Sequence, residues 1–190
     1  MTLTATENRI QHDELKEGPS GTDSAGQAPI KMKVLALLRI LLGFVFLWDF
    51  LDKTFGLGFA TTPAQSWLSD ASPTTGYLAS LTGPAAGVLQ ALAGQAWVDV
   101  VFMLGMLLLG VALVLGVALR AAAVGGTLML VLLWMSALPG KNNPFVDEHV
   151  IFAADLWVLL LAGAGRVWGL GRVWDSMTKL PRLGWLRRLG

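Results

Sequence analysis

Residues 98–117 read VDVVFMLGMLLLGVALVLGV, with Asp99 as the one charged residue. At about 1.5 Å of rise per residue, a run of this length spans the roughly 30 Å hydrocarbon core of a bilayer. Apolar side chains fill every face, so a helical period is weak, as expected when each face meets lipid or another helix. Working outward, three further runs resemble it: 34-VLALLRILLGFVFLWDFL-51, 121-AAAVGGTLMLVLLWMSAL-138 and 149-HVIFAADLWVLLLAGAG-165. The expected fold is therefore an all-α membrane protein, a four-helix bundle with spans at about 34–51, 98–117, 121–138 and 149–165. The whole chain agrees: its 190 residues are 54% hydrophobic and 14% charged, and its mean hydropathy is +0.60, outside the usual soluble range.

Residues 1–30 are polar and acidic and read as a disordered cytoplasmic tail. They hold no apolar core for a cleaved signal, so the first span is expected to act as an uncleaved signal anchor. Residues 31–175 form the membrane domain, and 176–190 a basic cytoplasmic tail. Lys31, Lys33, Arg39, Arg120, Arg166, Arg172 and the arginines beyond fall on one side of such a bundle, leaving Lys53 and Lys141 on the other. The positive-inside rule then places both termini in the cytoplasm of a multi-pass plasma-membrane protein. Most tryptophans stand at belt positions near the span ends; Trp157 stands within the fourth.

The connection between the first two spans, about 54–96, is long and apolar. Ala85, Val88, Leu89 and Leu92 recur at helical spacing, with Pro84 suited to the first turn and Gly94 to the end. A partly helical outer loop is expected, lying on the membrane or capping the bundle. The repeat in 165-GRVWGLGRVW-174 reads as a basic, aromatic border toward anionic headgroups. Ala112 with Gly116, and Ala121 with Gly125, stand four apart and would permit close helix packing.

Charges within membrane spans are costly and each asks for a partner or a role. Arg39 either snorkels to the cytoplasmic headgroups or is a fixed cation inside the bundle. Asp155 is neutral, paired or in a wet cavity. Asp49 can meet Lys53 at i, i+4, and Asp99 stands where a helix N-terminus favours an acid. Asp49, Asp52, Lys53, Asp99, His149 and Asp155 all fall in the outer half of the expected bundle. In 141-KNNPFVDEHVIF-152, Asn143 suits an N-cap, Pro144 a first helical position, and Asp147 and Glu148 the first turn. That leaves His149 with Asp155. With no cysteine, disulfides, thiolate metal sites and dithiol chemistry are excluded within the chain. A lone histidine at membrane depth excludes bis-histidine haem, no ligand spacing points to a metal, and nothing implies nucleic acid.

The segment 39-RILLGFVFLWDFLDKTFGLGF-59 resembles the Arg–Gly–Phe–Lys signature of the DoxX/DoxD family of small membrane proteins. The loop 67-WLSDASPTTGYLASLTGPAAGVLQALAG-94 and the stretches 105–126 and 142–172 are similar to it as well, LDKTFG, SPTTG and NNPFVDEH most specifically. Arg39, Lys53 and the run Asp147–Glu148–His149 match the family's polar pattern, whereas Asp49 departs from it. The resemblance implies a four-helix bundle and a link to redox complexes, since DoxD-type members are subunits of thiosulfate:quinone oxidoreductase. On this reading the chain is a membrane subunit of a quinone-linked oxidoreductase, with no intrinsic cofactor and a quinone as the cofactor it would meet. His149, Asp155 and Lys53 are then the reacting candidates. Arg39, Asp49, Asp52, Asp99 and Glu148 line the polar or quinone-binding surroundings. Two alternatives stand beside it: a non-catalytic scaffold of a respiratory or oxidative-stress complex, and a small proton-coupled transporter. Expected partners are the lipid bilayer, other redox subunits and a second copy of the chain.

Overall fold

The computed structural model describes residues 29–140, 143 and 145–178. The expectations for the N-terminal tail, for Lys141 and Pro144, and for the basic tail beyond 178 lie outside them. Among the described residues all regular structure is helical. We label the helices α1 (Ile30–Phe55), α2 (Thr75–Ser80), α3 (Ala86–Gln90), α4 (Ala96–Leu115), α5 (Leu119–Ala137), α6 (Glu148–Leu161) and α7 (Gly171–Met177).

Three of these, α1, α4 and α5, are long and apolar enough to cross a membrane. The run 149–165, expected as a fourth span, differs. Its helix, α6, has 14 residues, about 21 Å at 1.5 Å per residue, and stops before Gly163, which takes a left-handed φ of 64°. The first helix, conversely, extends past both ends of its apolar run. It starts just after Pro29 and closes on Gly56 at φ 65°, the left-handed C′ position that glycine adopts without steric cost.

Pairing is unequal. α1 packs chiefly on α4 and α5 chiefly on α6, while α4 and α5 join the two pairs. Glycines explain the first contact, but not those anticipated. A Cβ on Gly43 would lie 2.8 Å from Leu113 Cβ, and one on Gly110 would lie 2.7 Å from Leu47 Cγ and 3.0 Å from the Gly43 carbonyl oxygen. The α1 and α4 backbones approach as closely as they do because both side chains are absent. Gly126 does the same for α5, where a Cβ would stand 2.6 Å from Leu156 Cδ1. Gly125, expected as a packing residue, instead faces open space, and Gly116 ends α4 at φ 70°. Leu42, Phe46, Leu109, Leu113, Leu130, Leu156 and Leu159 fill the core between the helices.

The long connection caps the end of the bundle where α1 finishes and α4 begins. The helical spacing around Val88 produces α3, and a second short helix, α2, precedes it. Leu78, Leu81 and Leu89 bury against one another to form a small satellite core. Tyr77 ties this cap to α5 through a 2.6 Å hydrogen bond between its hydroxyl and that of Ser136.

Candidate functional site

Arg39 is fully buried, with 0% of its surface exposed. Among the described residues it pairs with no acid. Its Nη1 donates to the Leu113 carbonyl at 2.7 Å and the Val114 carbonyl at 3.3 Å, and its Nη2 to the Trp168 carbonyl at 2.9 Å and the Val167 carbonyl at 3.3 Å. Two of these carbonyls belong to the last turn of α4; that of Leu113 also accepts from the Gly116 N–H at 3.2 Å, and that of Val114 lies beyond the reach of the helix's own ladder. The other two belong to the bend after α6. The segment 163–171 folds back over the end of α4, and the Leu170 N–H donates to the Leu115 carbonyl at 2.7 Å. Glycines let it approach: a Cβ on Gly116 would collide with the Arg39 guanidinium, and one on Gly169 would lie 2.9 Å from its Nη1. The stretch 165–174, expected as a surface border, is therefore also a wall around a buried cation.

The acids of the other end serve similar purposes. Asp52 is almost fully buried and accepts from the Phe59 N–H at 3.3 Å and the Ala60 N–H at 3.0 Å, turning the chain back after α1. Asp99 accepts from the Ser72 hydroxyl at 2.8 Å and from the Thr74 hydroxyl at 2.5 Å and N–H at 3.2 Å. It thus holds the SPTT turn that opens α2. Asp147, not Asn143, caps α6. Its Oδ1 accepts from the His149 and Val150 N–H groups at 3.1 and 3.3 Å, and its Oδ2 faces His149 Nδ1 at 2.8 Å. Asn143 Oδ1 accepts from the Phe145 and Val146 N–H groups, forming a side-chain turn before the helix. Burial works to raise the Asp147 pKa, but the His149 ring and the two N–H donors outweigh it and hold the carboxyl below its usual range.

His149 thus takes Asp147 as its partner. Among the described residues no hydrogen bond or ion pair joins His149, Asp155 and Lys53, and none joins Asp49 to Lys53. α6 meets α1 only sparsely. Asp147, Glu148 and His149 do place one ligand atom each within 4.8 Å of one another. Asp147 Oδ1 is engaged in the cap and its Oδ2 with the His149 ring, and Glu148 is exposed.

Two cavities lie at the opposite end. The first, about 360 Å³, is lined by Gly116, Arg120, Gly163, Arg166, Trp174 and Asp175, among others. The second, about 580 Å³, is an apolar groove along α5 and α6 bordered by Val124, Gly125 and Trp157. Arg120, Leu160 and Leu161 line both. The charges of Arg120, Arg166 and Asp175 are visible in the sequence, but what joins them is the fold-back of 163–171. The density of glycine at 163, 165, 169 and 171 was the available signal. Comparison with protein-family models, curated proteins and solved structures gave no match.

Proposed function

We propose that the chain is an accessory membrane subunit of a quinone-linked oxidoreductase complex, contributing docking and not a reaction centre of its own. The observation that carries the accessory role is the commitment of its polar residues. Arg39, Asp52, Asp99 and Asp147 each hold the chain's own backbone, so the residues most expensive to keep apart from water serve architecture. The quinone link rests on the DoxX/DoxD resemblance of the sequence. In this reading α6 and the fold-back after it complete a fourth crossing, with both termini cytoplasmic. Irregular backbone at membrane depth is tolerated where protein groups satisfy it, and Arg39 supplies donors to four carbonyls there. The cap of residues 56–95 then faces the outside. It presents Phe59 and Val88, at 74% and 76% exposure, as apolar contacts for a partner.

The test is co-purification from native membranes in mild detergent, with thiosulfate-dependent quinone reduction measured in the same material and in the isolated chain. Activity in the assembled fraction, absence of activity in the isolated chain and survival of activity in His149→Ala are expected. A chain that migrates alone from native membranes, or that reduces quinone by itself, would overturn this reading. A second reading keeps His149 as a proton exchanger, favoured by its 2.8 Å contact with Asp147. It requires the His149→Ala variant to alter the pH profile of the assembled activity.

A further inference from the structure

Asp155 is an acid for which its own fold supplies no partner. It makes no hydrogen bond and no ion pair among the described residues. The fully buried side-chain polar atoms left without a partner there are Arg39 Nε and Trp174 Nε1, so the Asp155 oxygens reach the molecular surface. The next two residues fix the level of that surface. Leu156 packs on Gly126, and Trp157 donates to the Thr127 hydroxyl at 3.0 Å. Gly126 and Thr127 stand near the middle of α5, a helix long and apolar enough to cross a membrane. A carboxyl at that depth is costly and calls for a partner.

Neighbouring contacts give its direction. The Phe152 ring meets Phe46 of α1 edge-on at 6.4 Å. Asp155 follows Phe152 by three residues, about 60° around α6 and turned away from the α5 contact. On α1, Asp49 follows Phe46 by three residues, again about 60° around and turned away from the Gly43 face packed on α4. α6 runs opposite to α1, since Arg39, earlier on α1 than Phe46, meets Val167 and Trp168 beyond the end of α6. Both acids therefore emerge on one outer flank of the α1–α6 seam. Asp155 lies about 9 Å deeper than Asp49 along the axis. Val45, Ile151 and Val158 are exposed beside them.

Charge decides what covers this flank. α6 carries no lysine or arginine. The Arg39 guanidinium is spent on backbone carbonyls. The other described cations stand in the first or last turns of the long helices or beyond them. A second copy brings the same set and so no free cation at this depth, and acyl chains offer no donor. We propose that the flank docks a membrane-spanning helix of a different subunit. That helix sets a lysine or arginine against Asp155 and packs apolar side chains on Val45, Ile151 and Val158. The proposal rests on the accessory role argued above and gives it a surface inside the membrane.

The experiment is photocrosslinking in native membranes, with benzoylphenylalanine in place of Val158 or, as a control, of Leu128, which is exposed on α5. Position 158 should give one adduct heavier than the chain. Peptide mass spectrometry should place the link in an apolar stretch of another protein that contains a lysine or arginine, and position 128 should not give that adduct. Asp155→Leu should reduce it about tenfold or more, because it leaves the partner's cation unpaired. Asp155→Asn should reduce it less, since a carboxamide still accepts a hydrogen bond. The isolated Asp155→Leu chain should unfold in detergent no earlier than wild type. A lower unfolding temperature would show a role within the chain's own fold and overturn the proposal. So would an adduct with a second copy, adducts with lipid alone, or an adduct that Asp155→Leu leaves unchanged. If the chain still co-purifies with its complex in any of those cases, the accessory role survives; a chain that migrates alone sinks both.

Discussion

At the scale of single residues, the polar side chains act mainly as backbone clamps. Replacing Arg39 by Leu would strip donors from four carbonyls in a region that has little water. An unsatisfied buried carbonyl costs about 1–3 kcal/mol, so a loss of about 3 kcal/mol or more is expected, read as a lowered unfolding temperature in detergent. Arg39→Lys should recover only part of it, because an ammonium cannot reproduce the planar fork that reaches both α4 and the bend after α6. Asp147→Ala should cost about 1 kcal/mol as a lost N-cap. Its folded pKa is depressed, so the contribution is complete above the usual carboxylate range of about pH 4 and disappears as pH falls through the lower folded value. The stability gap between wild type and Asp147→Asn, followed by thermal unfolding across pH 2–7, should accordingly close at the acid end. The sequence marked Arg39, Asp99 and Asp147 as unusual, because charge among apolar residues is conspicuous. It could not show their partners, since the Arg39 acceptors lie 74 to 129 positions away.

At the scale of elements, the α1–α4 contact is set by two missing side chains. Gly110→Leu would drive its side chain into Leu47 and the Gly43 carbonyl. Overpacking of that kind typically costs 1–3 kcal/mol. The expected outcome is a lower unfolding temperature than for Gly125→Leu, where the same side chain meets open space. That contrast was illegible beforehand. Small residues four apart are common in membrane helices, and which of them face a neighbour depends on helix rotation. The cap hangs on Asp99 through Ser72 and Thr74. Asp99→Ala should loosen α2 without unfolding the long helices, measured as faster limited proteolysis within 56–95 at an unchanged helical circular dichroism signal. Here the helical spacing of Ala85, Val88, Leu89 and Leu92 was enough to foresee α3, whereas the clamp on α2 required contact across 25 residues.

At the scale of the whole molecule, the absence of cysteine makes orientation directly measurable. Ser80→Cys in the cap should react with a membrane-impermeant maleimide on intact cells, and Ser176→Cys in α7 only once the membrane is opened. The reverse pattern would invert the proposed topology. The pattern of hydropathy was enough to foresee helical structure throughout the described residues and three helices long and apolar enough to cross a membrane, because uninterrupted apolar length is a property of composition alone. The shortening of the last helix was not, since α6 ends where Gly163 takes a left-handed φ and the next residues fold onto α4.

What the sequence determined by itself is the local and one-dimensional part: apolar length, charge asymmetry, and the helical face around Leu89. Each follows from neighbours within a few residues. Only the tertiary structure decided that Asp52, Asp99 and Asp147 are tied to loops and caps, and that His149 meets Asp147 and makes no bond with Asp155. The physical reason is reach. A charged group in an apolar chain takes the nearest unsatisfied backbone that packing brings to it, and packing here is set by glycines whose facing partners lie on other helices.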